Sequence, residues 1–97
     1  MGRQLGNYLR KLRGKKAKGI KQVAPDIGLS YSYLSKLENG LLEPSVETIA
    51  RLSEYYGADS DVLRTLAGKL PDDVVEILQG NPEEAIRLLR SRFAKQG

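Results

Sequence analysis

The stretch Ile27–Gly40, IGLSYSYLSKLENG, decides the fold. It reads as a tight turn opening into a short helix. Ser30 suits the N-cap, because its hydroxyl can accept a bond from a first-turn N–H that has no partner within the helix. Gly40 suits the left-handed residue that ends a helix. Residues 31–39 are therefore predicted helical. At about 100° per residue, Leu34 and Leu37 fall on one side with Tyr33 and Glu38 at its margins, while Tyr31, Ser32, Ser35, Lys36 and Asn39 occupy the opposite arc. That outer arc is rich in hydrogen-bonding groups and carries no acid.

Immediately upstream, Ile20, Val23, Ala24 and Ile27 sit at i, i+3, i+4 and i+7 and define a second short amphipathic helix, Ile20–Ile27. Gly28 separates the two helices and tolerates positive φ, and Ala24 is small enough to let them cross closely. Pro25 lacks an N–H and clashes with the carbonyl four residues back, so this helix is expected to be short or kinked. Before it, Leu5, Leu9 and Leu12 form the stripe of a first helix, about Gln4 to Arg13, stopped by Gly14. After the central helix, Ser45 is the expected cap of a helix Val46–Tyr56 ended by Gly57, and Asp59 that of a helix Ser60–Ala67 ended by Gly68.

The remainder, LPDDVVEILQGNPEEAIRLLRSRFAKQG, predicts two further helices. Pro71, Asp72 and Asp73 open one; in NPEE, Asn81 is the expected cap of the other, with Pro82 in its first turn and Glu84 three residues after the cap. Gly80 punctuates them. Val74, Val75, Ile77 and Leu78, then Ile86, Leu89 and Phe93, give apolar stripes that need a surface to cover.

The 97 residues hold 16 Lys and Arg against 12 Asp and Glu, a net charge of +4. The distribution matters more than the total: Arg3, Arg10, Lys11, Arg13, Lys15, Lys16, Lys18 and Lys21 all precede the first acid, Asp26. Such a surplus suits a polyanion, nucleic acid first and an anionic membrane surface second, although charge alone leaves a solvated face as an equal alternative. With no Cys and no His, disulfides, thiolate zinc sites and Ser–His or Cys–His catalysis are excluded. The GKKAKG loop lacks the spacing and the following Ser or Thr of a phosphate-cradling loop. Asp72, Asp73, Glu83 and Glu84 cluster at predicted helix N-termini, where the macrodipole accounts for them, so an enzyme is not expected and no cofactor is implied. No run of eighteen apolar residues and no leader pattern is present, which gives the expectation of a soluble cytoplasmic protein.

The run GIKQVAPDIGLSYSYLSKLENG followed by EPSVETIARLSEYYGADSDVL closely resembles the Xre/Cro-type helix-turn-helix family of phage and bacterial repressors, over about residues 5–67. The resemblance implies an all-α fold: a five-helix helix-turn-helix DNA-binding domain over residues 1–68, with two C-terminal helices in a 69–97 extension. It implies a transcriptional regulator, a repressor acting as a homodimer on a two-fold operator in double-stranded DNA. Matched position by position, the residues expected at base edges are Tyr31, Ser32 and Lys36, with Ser35 close by. Lys36 would bond guanine O6 and N7. Phosphate contacts are expected from Ser30, Lys21, Gln22, Asn39 and Ser45. Two family features are missing: a Gln at the start of helix two, where Ile20 stands, and basic residues after helix three, where Leu41, Leu42 and Glu43 stand. Lys15, Lys16, Lys18 and Lys21 are the compensating candidates. The family match also pairs Arg13 with Glu38, joining helix one to helix three. The competing expectation is an antitoxin or adaptor that keeps this scaffold but engages a protein partner through residues 70–97, since fold does not fix function.

Overall fold

A computed structural model describes residues 3–94, so residues 1–2 and 95–97 of the two expected segments lie outside the described residues. The described residues form seven helices and no strand: α1 Arg3–Lys15, α2 Ile20–Ile27, α3 Tyr31–Glu38, α4 Val46–Tyr56, α5 Ser60–Leu66, α6 Asp72–Gly80 and α7 Pro82–Phe93. The all-α expectation holds. Leu5 and Leu9 of α1, Val23, Ala24 and Ile27 of α2, Leu34 and Leu37 of α3, Ile49 and Leu52 of α4 and Leu63 of α5 are all at most 5% exposed and touch in one cluster. Each large side chain sealed there contributes on the order of 1.5–3 kcal/mol.

The caps that fix the helix starts are largely those the sequence suggests. Ser30 Oγ accepts from Tyr33 N at 3.0 Å, Ser45 Oγ from Thr48 N at 3.1 Å and Asp59 Oδ1 from Asp61 N at 2.8 Å. Gly28, at φ +85°, closes α2 by donating to Ala24 O and Pro25 O, which directs the chain sharply into α3. Pro25 is accommodated in an α2 of eight residues.

Three local expectations are corrected. Gly14 does not stop α1; it lies inside the helix, which runs to Lys15, and the chain reverses at Ala17, a non-glycine residue with φ +54°. Gly80 is the last residue of α6 rather than a spacer. Asn81 does not cap α7 with its side chain: its Nδ2 instead donates to Ile77 O at 3.0 Å, closing α6, and only its backbone carbonyl, accepting from Ala85 N at 2.8 Å, serves the start of α7.

α6 and α7 pair with each other, and no pairing of like extent joins either to α1–α5 among the described residues. The radius of gyration, 15.4 Å, exceeds the ~13 Å of a compact chain of about this length because the hairpin projects. Its apolar stripes stay partly open: Val74, Val75 and Leu78 are half-buried, but Ile77, Ile86, Leu88, Leu89 and Phe93 are 44–73% exposed.

Candidate nucleic-acid interface

α3 is held from below and presented outward. Leu34 and Leu37 anchor it in the core, and Tyr31, Ser32, Lys36 and Asn39 are exposed with Ser35 half-buried, so the five polar positions share one outer face. Its inner margin carries Glu38, whose side chain is 1% exposed. Burial of a carboxylate is costly unless it is paired and hydrogen-bonded. Arg13 supplies both: its Nε donates to Oε2 and its Nη2 to Oε1, each at 2.9 Å, the two-pronged geometry of a guanidinium on a carboxylate. The bond to Glu38 holds the Arg13 proton more tightly than in water. Arg13 Nη1 also donates to Lys18 O at 3.2 Å, so the same side chain secures the start of α2.

A second feature fixes the height of α3. Gly6 of α1 lies against the Glu38 backbone so closely that a Cβ there would sit 2.1 Å from Glu38 O. Any larger residue would push α1 off α3. Sequence periodicity could not reveal this, because Gly6 is neither apolar nor in a turn; its only signal was an unexplained glycine inside a helical stripe. From the other side, Arg51 of α4 donates to Gly28 O at 3.1 Å and pairs with Glu47 at 2.8 Å, bracing the turn between α2 and α3.

Comparison with known proteins agrees with this geometry. Residues 4–66 match the family model described as a helix-turn-helix domain. The chain belongs to the helix-turn-helix family of DNA-binding transcriptional regulators. It is 33% identical over 63 residues to the ImmF control region 10 kDa protein of Bacillus phage phi105, covering 65% of this chain and 70% of that one. It is 33% identical over 83 residues to the HTH-type transcriptional regulator DdrOP3 of Deinococcus deserti, covering 77% and 64%. The chain thus spans about two thirds of the length of these two relatives. Among solved structures, the clp gene regulator ClgR of Corynebacterium glutamicum superposes with a TM-score of 0.59 at 28% identity, over 97% of this chain and 95% of that one. That superposition extends through α6 and α7, beyond the helix-turn-helix match.

Within this helix-turn-helix frame the expected phosphate-contacting residues fall into two groups. Lys15, Lys18 and Lys21 are exposed, and so is Gln22, whose Oε1 accepts from Gly19 N at 3.1 Å and leaves its amide NH2 available. Lys21 Nζ also lies 5.9 Å from the Tyr31 ring centroid, beside the outer face of α3. The others are engaged by the fold. Lys16 Nζ sits 4.8 Å over the ring of Tyr55, turned toward α4. The Ser45 hydroxyl is occupied twice, accepting from Thr48 N and donating to Thr48 Oγ1 at 3.1 Å, while that of Ser30 accepts as a cap and keeps its own O–H to donate. Asn39 is held at both ends of its amide, Nδ2 donating to Ser35 O at 2.9 Å and Oδ1 accepting from Arg10 Nη2.

Proposed function

We propose that this chain is a sequence-specific repressor that binds a two-fold operator as a homodimer and acts by occluding it, in the cytoplasm where the DNA lies. The observation that carries the reading is the outer face of α3. It is acid-free and exposed on a short helix that core packing, two caps and the Arg13–Glu38 clamp hold rigid. A helix entering the major groove needs that rigidity, because base readout depends on donors and acceptors meeting fixed base edges. In this reading Tyr31, Ser32, Ser35 and Lys36 face base pairs, with Lys36 on a guanine. Lys15, Lys18, Lys21 and Gln22 meet phosphates, and the main-chain N–H groups of Ser30 and Ser45 add donors, whereas that of Asn39 is spent on Ser35 O.

Residues 1–68 are then the DNA-binding domain, since all ten core residues lie between Leu5 and Leu63. Residues 69–97 are the dimerisation element. The α6–α7 hairpin encloses a groove of about 450 Å³ lined by the apolar side chains of Leu70, Val74, Ile77, Ala85, Leu88 and Leu89. A second copy is the occupant that charge favours: α6 carries Asp72, Asp73 and Glu76, and α7, after Glu83 and Glu84 in its first turn, carries Arg87, Arg90 and Arg92, so a two-fold contact that sets α6 of one copy against the C-terminal half of α7 of the other pairs opposite signs. The two-fold axis would set the recognition helices about 34 Å apart, one DNA turn.

The adaptor reading draws on the same apolar hairpin, with a foreign protein in place of the second copy. Selection of duplexes from a random pool, followed by a gel shift at physiological salt, separates the two. A repressor enriches one palindromic sequence and shifts it as a dimer; a pure adaptor enriches none.

A further inference from the structure

Arg10 lies outside the α2–α3 unit and on no apolar stripe, yet its surroundings give it a role. Arg3, Gly6, Arg10 and Arg13 stand at i, i+3, i+7 and i+10, the stripe of α1 that faces the end of α3. Because Gly6 has no side chain, α1 lies against the Glu38 backbone there, and this brings Arg10 up to Asn39 at the rim of the outer face. Arg3, Asn7, Arg10, Glu38 and Asn39 line an open polar depression of about 260 Å³. Among the described residues the one acid in it, Glu38, is already satisfied, since it receives both prongs of Arg13 at 2.9 Å, and Arg10 Nε lies 3.7 Å away. The depression therefore carries a surplus of two guanidinium charges. Arg10 is 46% exposed, and with one Nη2 hydrogen given to Asn39 its remaining terminal N–H groups are free to point outward.

We propose that Arg3 and Arg10 form a phosphate clamp for the DNA backbone where it passes the C-terminal end of α3, with Asn39 as the residue that positions Arg10. The inference rests on the DNA-binding reading above and reassigns part of it: the amide of Asn39 is engaged twice within the fold, so the charge reaching the phosphate at this corner comes from Arg10. Pre-alignment matters for the energetics. A free arginine loses much rotamer freedom when it docks, whereas Arg10 is already held by Asn39. The clamp also occupies the side of α3 where the loop Leu41–Glu43 offers no basic residue, and so supplies the cation that loop lacks.

The test compares Arg10→Ala, Arg3→Ala and Arg10→Lys in the full chain, with Lys36→Ala as reference. Binding is measured to the selected operator and to a scrambled 30-base-pair duplex across a salt series, alongside thermal melts. Both alanine variants are expected to weaken operator and scrambled duplex by the same factor, about ten-fold, and to flatten the slope of log K against log salt by about 0.9 for each phosphate that a subunit no longer neutralises. Arg10→Lys restores most of the slope. Arg3 has no ion pair or side-chain hydrogen bond among the described residues, so its replacement leaves the melt unchanged and reports on DNA alone. If Arg3→Ala and a folded Arg10→Ala both keep the wild-type affinity and slope while Lys36→Ala loses operator preference, the clamp is refuted and the DNA-binding reading stands. If the wild-type chain binds neither duplex, both fall together.

Discussion

Replacing Gly6 with Ala adds a single methyl group where α1 meets the backbone of α3, and two opposing effects decide the outcome. Alanine favours the helical backbone by about 1 kcal/mol over glycine. Against that, the new Cβ would lie 2.1 Å from Glu38 O and 2.8 Å from Glu38 C. Ordinary contact between such atoms is about 3.5 Å, so α1 must retreat from α3 by more than about 1 Å. The atoms it meets are backbone, which cannot rotate away. Retreat would open the core beneath Leu5 and Leu9, both at most 1% exposed, and lengthen the Arg13–Glu38 bonds. Overpacking of this kind costs about 1–3 kcal/mol, and more where the backbone itself must shift. The net expectation is a loss of at least about 2 kcal/mol, or a fall of about 10 °C or more in melting temperature for a domain of this size. Thermal unfolding followed by circular dichroism reads it directly. Gly14 is the matched control, because it too is helical and an added Cβ there meets nothing within 4 Å. Gly14→Ala should raise the melting temperature by several degrees through propensity alone. Should Gly6→Ala melt at or above the wild type, close approach of α1 would not be what sets the height of α3.

The remaining predictions concern charge, DNA and association. Burial pushes the Tyr56 hydroxyl from its ordinary 10.0 up to about 12, with the nearby Glu38 adding to the rise. Between those values the native state holds a proton that the unfolded chain releases, so stability falls as pH climbs from about 10 to 12, by about 1 kcal/mol after allowance for the partial solvent exposure of this side chain. Tyr56→Phe should flatten that alkaline loss in denaturant titrations, and should cost nothing at neutral pH because the hydroxyl has no partner. Arg13→Ala leaves the carboxylate of Glu38 buried with only Arg10 at 3.7 Å, and should cost about 3 kcal/mol in urea unfolding, the low end for a broken buried pair because Arg13 itself is 22% exposed. Lys36→Ala should cost about 1–3 kcal/mol on the best operator and relax preference at one base pair per half-site. Lys15→Ala with Lys18→Ala should weaken all duplexes alike; an equal loss on operator and scrambled DNA for Lys36→Ala would make Lys36 a phosphate contact instead. Leu89→Asp, at a position 47% exposed in the single chain, should leave the melt of a dilute monomer unchanged yet convert a dimer to monomer in sedimentation; a variant that still sediments as a dimer removes α7 from the interface.

Local rules acting over a few residues determined most of the architecture. Ser30, Ser45 and Asp59 start their helices because a side-chain oxygen two or three residues from an orphan N–H satisfies it whatever surrounds the helix. The spacing of Ile20, Val23, Ala24 and Ile27, and of Leu34 and Leu37, marks the buried faces because helical periodicity converts position into direction. The helix-turn-helix order and the outer face of α3 were legible for that reason. What depends on residues distant in the chain was not. Gly14 is a breaker by propensity, yet α1 passes through it, and Asn81 has the chemistry of a cap for α7 but finds the carbonyl of Ile77 first. Lys16 counts as one lysine of a basic loop until Tyr55, thirty-nine positions later, comes to lie beneath it. The apolar stripes of α6 and α7 announced that something must cover them; only the tertiary structure decided that the core of α1–α5 does not, because that core is already closed by its own ten residues. The same holds at the rim of α3, where Gly6 lets two backbones meet and so carries Arg10 to Asn39, a contact across 29 positions of sequence that no local pattern encodes.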